Sequence, residues 1–334
     1  MKALRAVLDP FVLLLIGMVA LASFLPVQDE AARIAEGLAD AGIVMLFFLH
    51  GAKLSRAAIV AGAGNWRLQG STLLVTFALF PLLGIGIAAA MHMLAPAHPL
   101  GDPMLASGML FLTLLPSTVQ SSIAFTSIAR GNVAGAVCAA SFSNLAGIVL
   151  TPLLVGVTMH LSAAGQGSIW QSGETIALQL LLPFVLGHLA RPWVGGFVEQ
   201  HKALVGRLDR GAILLIVYTA FSAAVVEGLW QRLSVVTVLM LGGLCILLLA
   251  IVLTASWQAG RAIGLSRADR IVLLFCGSKK SLASGVPMAG ALFPASQVGV
   301  LILPLMLFHQ IQLIACAILA RRLAAQDETV DPQT

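Results

Sequence analysis

Charge is what this sequence has least of. Asp, Glu, Lys and Arg together make up 10% of its 334 residues, where soluble domains carry about 25%. With 59% of residues hydrophobic and a mean hydropathy of +0.98, a water-soluble fold would lack the polar surface to cover itself. That excludes a soluble enzyme or binding module and leaves an integral membrane protein. Short alternating strand-like runs of about ten residues are also missing. The apolar runs have helix length, roughly 17 to 25 residues, which excludes a barrel. Cysteine is scarce: Cys138, Cys245, Cys276 and Cys316 all fall inside apolar runs. They form neither a disulfide framework nor metal-type spacing, and no cofactor or metal centre is expected. The 14 carboxylates gather at span ends, loops and the tail, with Asp40 and Glu227 nearest to a central position.

What is present is a series of ten apolar runs, near 10–26, 38–54, 70–93, 104–129, 132–159, 174–190, 211–228, 235–257, 270–292 and 297–320. Ten spans predict that basic residues concentrate on alternate loops. They do: of the 19 Lys and Arg, only Arg33 and Arg232 fall opposite the N-terminus. Lys279 and Lys280 lie within a span, and the rest share the side of both termini, which is therefore cytoplasmic. The net charge of +5 thus serves topology and not nucleic acid. Lys2, Arg5, an apolar stretch and Ala20-Leu21-Ala22 imitate a signal peptide, but an internal repeat argues against cleavage. "PFVL" at 10–13 recurs at 183–186, and "DAG" at 40–42 is answered by "DRG" at 209–211. Two groups of five spans result, 1–160 and 171–322, followed by a disordered tail, 323–334. Because five is odd the second group is inverted, a signature of many secondary transporters.

The fourth span reads "MLASGMLFLTLLPSTVQSSIAFTSIAR". Pro116 has no N–H and clashes with the carbonyl four residues back, so the helix breaks there. Ser117, Thr118, Gln120, Ser121 and Ser122 are placed to cap a restarting helix. Met104 to Ser117 spans ~20 Å of helix rise, as does Ser117 to Arg130, so the break lies at mid-bilayer. The matching span of the second half contains "FCGSKKSLASG". There Gly277 and Ser278 interrupt the helix, and Lys279, Lys280, Ser281, Ser284 and Gly285 follow. Lys280 lies ~15 Å along from Arg270, near the midplane of a ~30 Å hydrocarbon core. Irregular backbone at this depth lines a cavity or is buried in protein. Half-helix N-termini and lysines favour an anion, whereas a bare cation would call for a central Asp or Glu.

Other readings of the same residues remain open. The lysines can snorkel to the interface, or Lys279 can act as an internal counter-charge in place of a coupling cation. A buried ammonium can also release its proton, which keeps H+ coupling open. Asn144, with Ser141 and Ser143, and His309, with Gln310 and Gln312, either complete the cavity or join helices by hydrogen bonds. His50 and His188 read as packed or interfacial.

The stretches "LLPSTVQSSIAFTSIARGNVAGAVCAASFSNLAGIVLTPLL" (114–154), "FCGSKKSLASGVPMAGALFP" (275–294) and "LPLMLFHQIQL" (303–313) resemble the bile acid:sodium symporter superfamily. The resemblance covers the whole chain and lies in the branch that bacterial YfeH-type proteins share with human solute carrier family 10 member 7. It implies ten helices in two inverted repeats, a panel and a core domain, a crossing of broken spans 4 and 9, an organic-anion substrate and the bacterial inner membrane. It also implies sodium ligands, and these transfer poorly. Ser122 matches, but the next position is Ile123. Ala136 and Ala140 stand where hydroxyl ligands are implied, Phe275 where a Glu is, and Lys279 where a Gln is.

The expectation is an all-α membrane protein acting as a secondary transporter of an organic anion, in the lipid bilayer, by alternating access. Its expected site is Gln120, Ser121, Ser122, Thr126, Asn144, Ser278, Lys279, Lys280 and Ser281, with helix breaks at Pro116, Ser117 and Gly277. Na+ or H+ would be the coupling ion. The rivals are a membrane regulator that no longer transports and an intramembrane hydrolase using a Ser–Lys pair, with Ser278 or Ser281 as nucleophile.

Overall fold

The computed structural model describes residues 10–53, 65–94, 99–159 and 180–328. All regular structure in them is helical. In chain order the helices are α1 (Pro10–Phe24), α2 (Asp29–Lys53), α3 (Trp66–Leu74) and α4 (Phe80–Leu94), the last two continuous through a π turn, Val75–Leu79. Then come α5 (Pro103–Leu114), α6 (Gln120–Ile128) and α7 (Val133–Thr158). The second half holds α8 (Leu182–Gln200), α9 (Lys202–Val226), the single turn α10 (Leu229–Arg232), α11 (Val235–Ala262), α12 (Arg267–Gly277), α13 (Leu282–Leu292) and α14 (Ala295–Glu328). The second-half repeat of "PFVL" opens just after Leu182, within α8, and residues 160–179 lie outside the described set.

Among the described residues five helices are long and apolar enough to cross a bilayer: Trp66–Met93, Val133–Thr158, Lys202–Val226, Val235–Ala262 and Ala295–Gln326. Pro10–Phe24 and Pro103–Leu114 are shorter apolar helices. Their outward faces are apolar too. On α11 the exposed side chains include Val235, Val236, Leu239, Met240, Ile246, Leu247 and Ile251. A continuous apolar exterior of this kind needs lipid as its solvent. The chain is a multi-pass membrane protein.

Helix starts follow the sequence closely. Asp102 precedes Pro103 and accepts from the Met104 amide at 2.7 Å. Asn132 accepts from Gly135 at 2.8 Å, Ser234 from Thr237 at 3.1 Å and Ser266 from Asp269 at 3.1 Å. Each satisfies an amide that has no partner inside its helix. At the other end of the chain α14 continues to Glu328, past residue 322 where the sequence suggested a tail would begin. Leu323 is buried and its carbonyl accepts from Arg267 at 2.6 Å, which holds the last turns in place.

The helices form two groups. α2 packs along α8, and α9 packs on α1 and α2; a Lys53–Asp209 ion pair ties α2 to α9 at one end. The others assemble around α14, α7 and the two interrupted spans. Extensive contact between the groups comes from α9 against α13 and α14, and from α2 against α13. Small residues permit it: a Cβ at Gly299 would stand 2.8 Å from the Ala220 carbonyl and 2.9 Å from the Ala224 Cβ.

Candidate functional site at the crossing of two interrupted spans

Both breaks occur where the sequence placed them. The residue before a proline is forced out of the helical region, and Leu115 is extended, at φ −79 and ψ 157. In the other span α12 ends at Gly277, and Ser278 to Ser281 are non-helical before α13 starts. The interrupted segments touch directly, with the Ser281 amide donating to the Pro116 carbonyl at 2.9 Å. Pro116 in turn presses on α7 where Gly147 leaves room, since a Cβ there would stand 2.7 Å from the ring.

A chain without regular hydrogen bonds at this depth must satisfy its polar groups with side chains. Asn144 does so for the first break, donating to the Ser117 carbonyl at 2.7 Å and to its own helix at Ala140, 3.0 Å. Its oxygen accepts from Ser284 at 2.9 Å, which joins the two spans. Ser143 accepts from the Ser117 amide at 3.1 Å, and Thr151 donates to the Leu114 carbonyl at 2.8 Å. Gln312 serves the second break, accepting from the Lys280 amide and donating to the Lys280 carbonyl, both at 2.9 Å. It also bonds His309 at 2.9 Å. Ser281 caps α13 by accepting from the Ser284 amide, and Ser278 donates to the Leu274 carbonyl.

The restart of the first span departs from expectation. Ser117, Thr118, Gln120, Ser121 and Ser122 were placed to cap α6, yet its N-cap is Val119 and no side chain caps the helix. The hydroxyls are engaged elsewhere. Ser122 donates to the Phe275 carbonyl at 3.0 Å, so its 2.9 Å bond with Thr118 must be donated by Thr118. Ser121 donates to Thr118 at 2.9 Å and accepts from the Lys279 ammonium at 3.2 Å. One directed chain thus runs from Lys279 through Ser121, Thr118 and Ser122 to Phe275. It leaves the N-terminus of α6, with its positive dipole end, open beside an ammonium.

The two lysines are both fully buried, at 0% exposure, and the snorkelling reading fails for both. Their surroundings differ. Lys280 donates all three ammonium protons to backbone carbonyls: Thr76 at 2.8 Å, Thr113 at 2.7 Å and Leu115 at 2.7 Å. The Phe80 ring lies 4.1 Å from its Nζ. Lys279 has one hydrogen-bond partner among the described residues, Ser121, and its ammonium rests 4.4 Å from the Phe125 ring and 5.8 Å from Phe275. Two of its three donors are therefore uncommitted.

The expected site residues consequently separate. Lys279, Ser121, Ser122 and Thr126 lie on one side of the crossing, and the Thr126 hydroxyl is buried without a partner. Gln120 is exposed on the same helix. Asn144, Ser278, Ser281 and Lys280 are occupied in holding the breaks. Neither Ser278 nor Ser281 bonds a lysine, so the arrangement a Ser–Lys hydrolase needs is missing among their contacts. Sequence reasoning gave no role to Thr76, Phe80, Phe125 or Phe275 as partners of the lysines. Aromatic residues in an apolar run carry no mark of such a role, and a carbonyl carries none at all.

The site also tests the sodium ligands implied by the resemblance. Ala136 and Ala140 are buried on α7 and offer no side-chain oxygen. Phe275 packs on Phe125 with centroids 5.9 Å apart, and Ser122 is already donating. Asp40 and Glu227 are both exposed, Glu227 as the C-cap of α9. This set does not fit a sodium ion. A separate cleft of about 300 Å³ between α2 and α9 is lined by Asp29, Glu36 and Glu227, a charge unsuited to an anion.

A family model described as the SBF-like CPA transporter family matches residues 9–325. The chain belongs to this family. Over 334 residues, all of its length, it is 52% identical to a protein of Escherichia coli, YfeH, whose name proposes a symporter, and it covers 98% of that protein. Protein PA2026 of Pseudomonas aeruginosa is 51% identical over 317 residues, 95% of this chain and 93% of its own. More distant is mouse sodium/bile acid cotransporter 7, 23% identical over 83% of this chain and 80% of its own. Family membership makes the chain a membrane transporter, and its two buried lysines lie at the interrupted crossing.

Proposed function

We propose that this SBF-like CPA family member is a secondary transporter that moves a small organic anion across the bacterial inner membrane. The observation that carries the reading is the pairing of Lys279, with two uncommitted donors, and the uncapped N-terminus of α6. Both are electropositive, and they meet where lipid would otherwise penalise charge, so a substrate anion is the partner that balances them. The site narrows to Lys279, Ser121, Thr126 and the first amides of α6, with Gln120 at its mouth. The family names of the relatives, a symporter and a bile acid cotransporter, agree with a small organic substrate.

In this reading ten spans form two inverted repeats, 1–160 and 171–322, with both termini cytoplasmic. α1, α2, α8 and α9 form the panel and the other helices the core, and alternating access rocks one against the other. The tight packing of α13 and α14 on α2 and α9, through Gly299 and through Gly290 beside Ile43 and Ile216, closes the outer side. Gln120 and Ser127 on α6 are exposed. Polar side chains exposed at membrane depth face water and not lipid, so the inner side is open. Coupling to sodium lacks side-chain ligands, which favours H+ or a sodium-free cycle.

The test is uptake into proteoliposomes. A labelled bile acid, a steroid sulfate and a small carboxylate would each be offered under a Na+ gradient, a H+ gradient and neither. We expect accumulation of at least one anion, unchanged by removing Na+. No accumulation of any anion under any gradient would favour the non-transporting regulator.

A further inference from the structure

Three backbone carbonyls converge on one point inside the core, and the source of each is a defect in a helix. Thr76 lies in the π turn Val75–Leu79, where the widened turn disturbs the regular hydrogen-bond ladder. Thr113 and Leu115 lie at the end of α5, freed by the break before Pro116. The end of α5 is the negative pole of that helix. Converging carbonyls in a dry interior repel one another and are costly without a cation. Rings of such carbonyls are how ion channels replace the hydration shell of a monovalent cation.

We propose that the carbonyls of Thr76, Thr113 and Leu115 form a monovalent-cation site whose cation is carried by the chain itself, as the Lys280 ammonium. The three contacts, at 2.8, 2.7 and 2.7 Å, use every proton the ammonium has. The Phe80 ring closes one side at 4.1 Å. Gln312 fixes the peptide groups of Lys280 from both sides, so the side chain starts from a rigid anchor. No donor remains for a substrate. The cation is therefore part of the fold, permanently bound, and no exchangeable ion enters this cage in the native protein. The inference stands whether or not the substrate is an anion, because it concerns Lys280 and not Lys279.

Truncation to Lys280→Ala removes the atoms of n-propylammonium and should leave a vacancy of that shape. The purified variant's melting temperature would be read with n-propylammonium, K+, Na+ or neutral n-propanol, beside the wild type and Lys280→Met, which fills the space without charge. We expect both variants to melt about 5–10 °C below wild type. n-Propylammonium should restore most of that loss in Lys280→Ala alone, and n-propanol none of it. If Lys280→Ala accumulates too poorly to purify, n-propylammonium during expression and extraction should recover folded protein. Failure of n-propylammonium and of both metal ions to stabilise or recover Lys280→Ala would overturn the proposal. So would a Lys280→Met protein as stable as wild type.

Discussion

Two neighbouring lysines that look alike in the sequence do different things, and the cause is local geometry. Ser278 to Ser281 run non-helically between α12 and α13, so the two neighbouring side chains are not held to one helix face. Lys280 turns toward the π turn Val75–Leu79 and the end of α5, and Lys279 toward α6. Substitutions should divide accordingly. Lys279→Gln keeps a polar group of similar reach and touches no splint of the breaks, so its melting temperature should stay within about 3 °C of wild type. It should nevertheless weaken anion binding by about 2–5 kcal/mol, the penalty for losing one partner of a buried charged contact. Ser121→Ala breaks the hydroxyl chain beside the same ammonium and should weaken it by about 1–2 kcal/mol. Saturation uptake measurements on the two variants check both figures. The sequence made the depth and the charge of the pair legible, because Pro116, Gly277 and the flanking apolar runs are explicit. It could not assign the roles, since the partners of Lys280 are backbone carbonyls that every residue type possesses.

At the scale of elements, the interrupted spans survive in an apolar interior because two amide side chains take over the broken hydrogen bonds. Asn144 and Gln312 were legible as polar residues in equivalent spans, and joining helices was one of two readings open for them. The geometry favours joining, as both amides are fully engaged. Gln312→Leu keeps the volume but orphans the Lys280 amide and carbonyl, at about 1–3 kcal/mol for each buried group. Denaturation in detergent should show the loss, and an unchanged midpoint would remove Gln312 from its role. Gly147→Val should also destabilise, because the new side chain meets the rigid Pro116 ring, and overpacking of this kind costs about 1–3 kcal/mol. The open start of α6 has a physical source that the sequence pattern does not display. Four hydroxyl residues follow Pro116, and hydroxyls near a helix start normally cap it. Here a buried ammonium and the Phe275 carbonyl engage three of them, Ser121, Thr118 and Ser122, in a chain, while Ser117 donates to the Thr118 carbonyl.

For the whole molecule, the apolar exterior was readable from hydropathy and the two interruptions from Pro116 and Gly277. Helix bounds were less so: the run near 174–190 corresponds to α8, Leu182–Gln200, and that near 211–228 to α9, Lys202–Val226. The packing of α9 on α13 and α14 was not readable, because it depends on close approach at Gly299 and Gly290, and glycine is frequent throughout the chain. That packing makes a directional prediction. In a variant lacking the native cysteines, Gln120→Cys and Ser127→Cys should react with a membrane-impermeant maleimide added from the cytoplasmic side. Arg33→Cys should react from the opposite side. Labelling of Gln120→Cys only from outside would reverse the assignment of the open face.

The most direct test of the account is uptake of a transported organic anion by wild type, Lys279→Gln and Lys279→Arg at matched reconstitution and matched folding. If the ammonium of Lys279 and the open start of α6 hold the anion, Lys279→Gln transports at background and Lys279→Arg retains part of the activity. Wild-type uptake by Lys279→Gln would contradict the account.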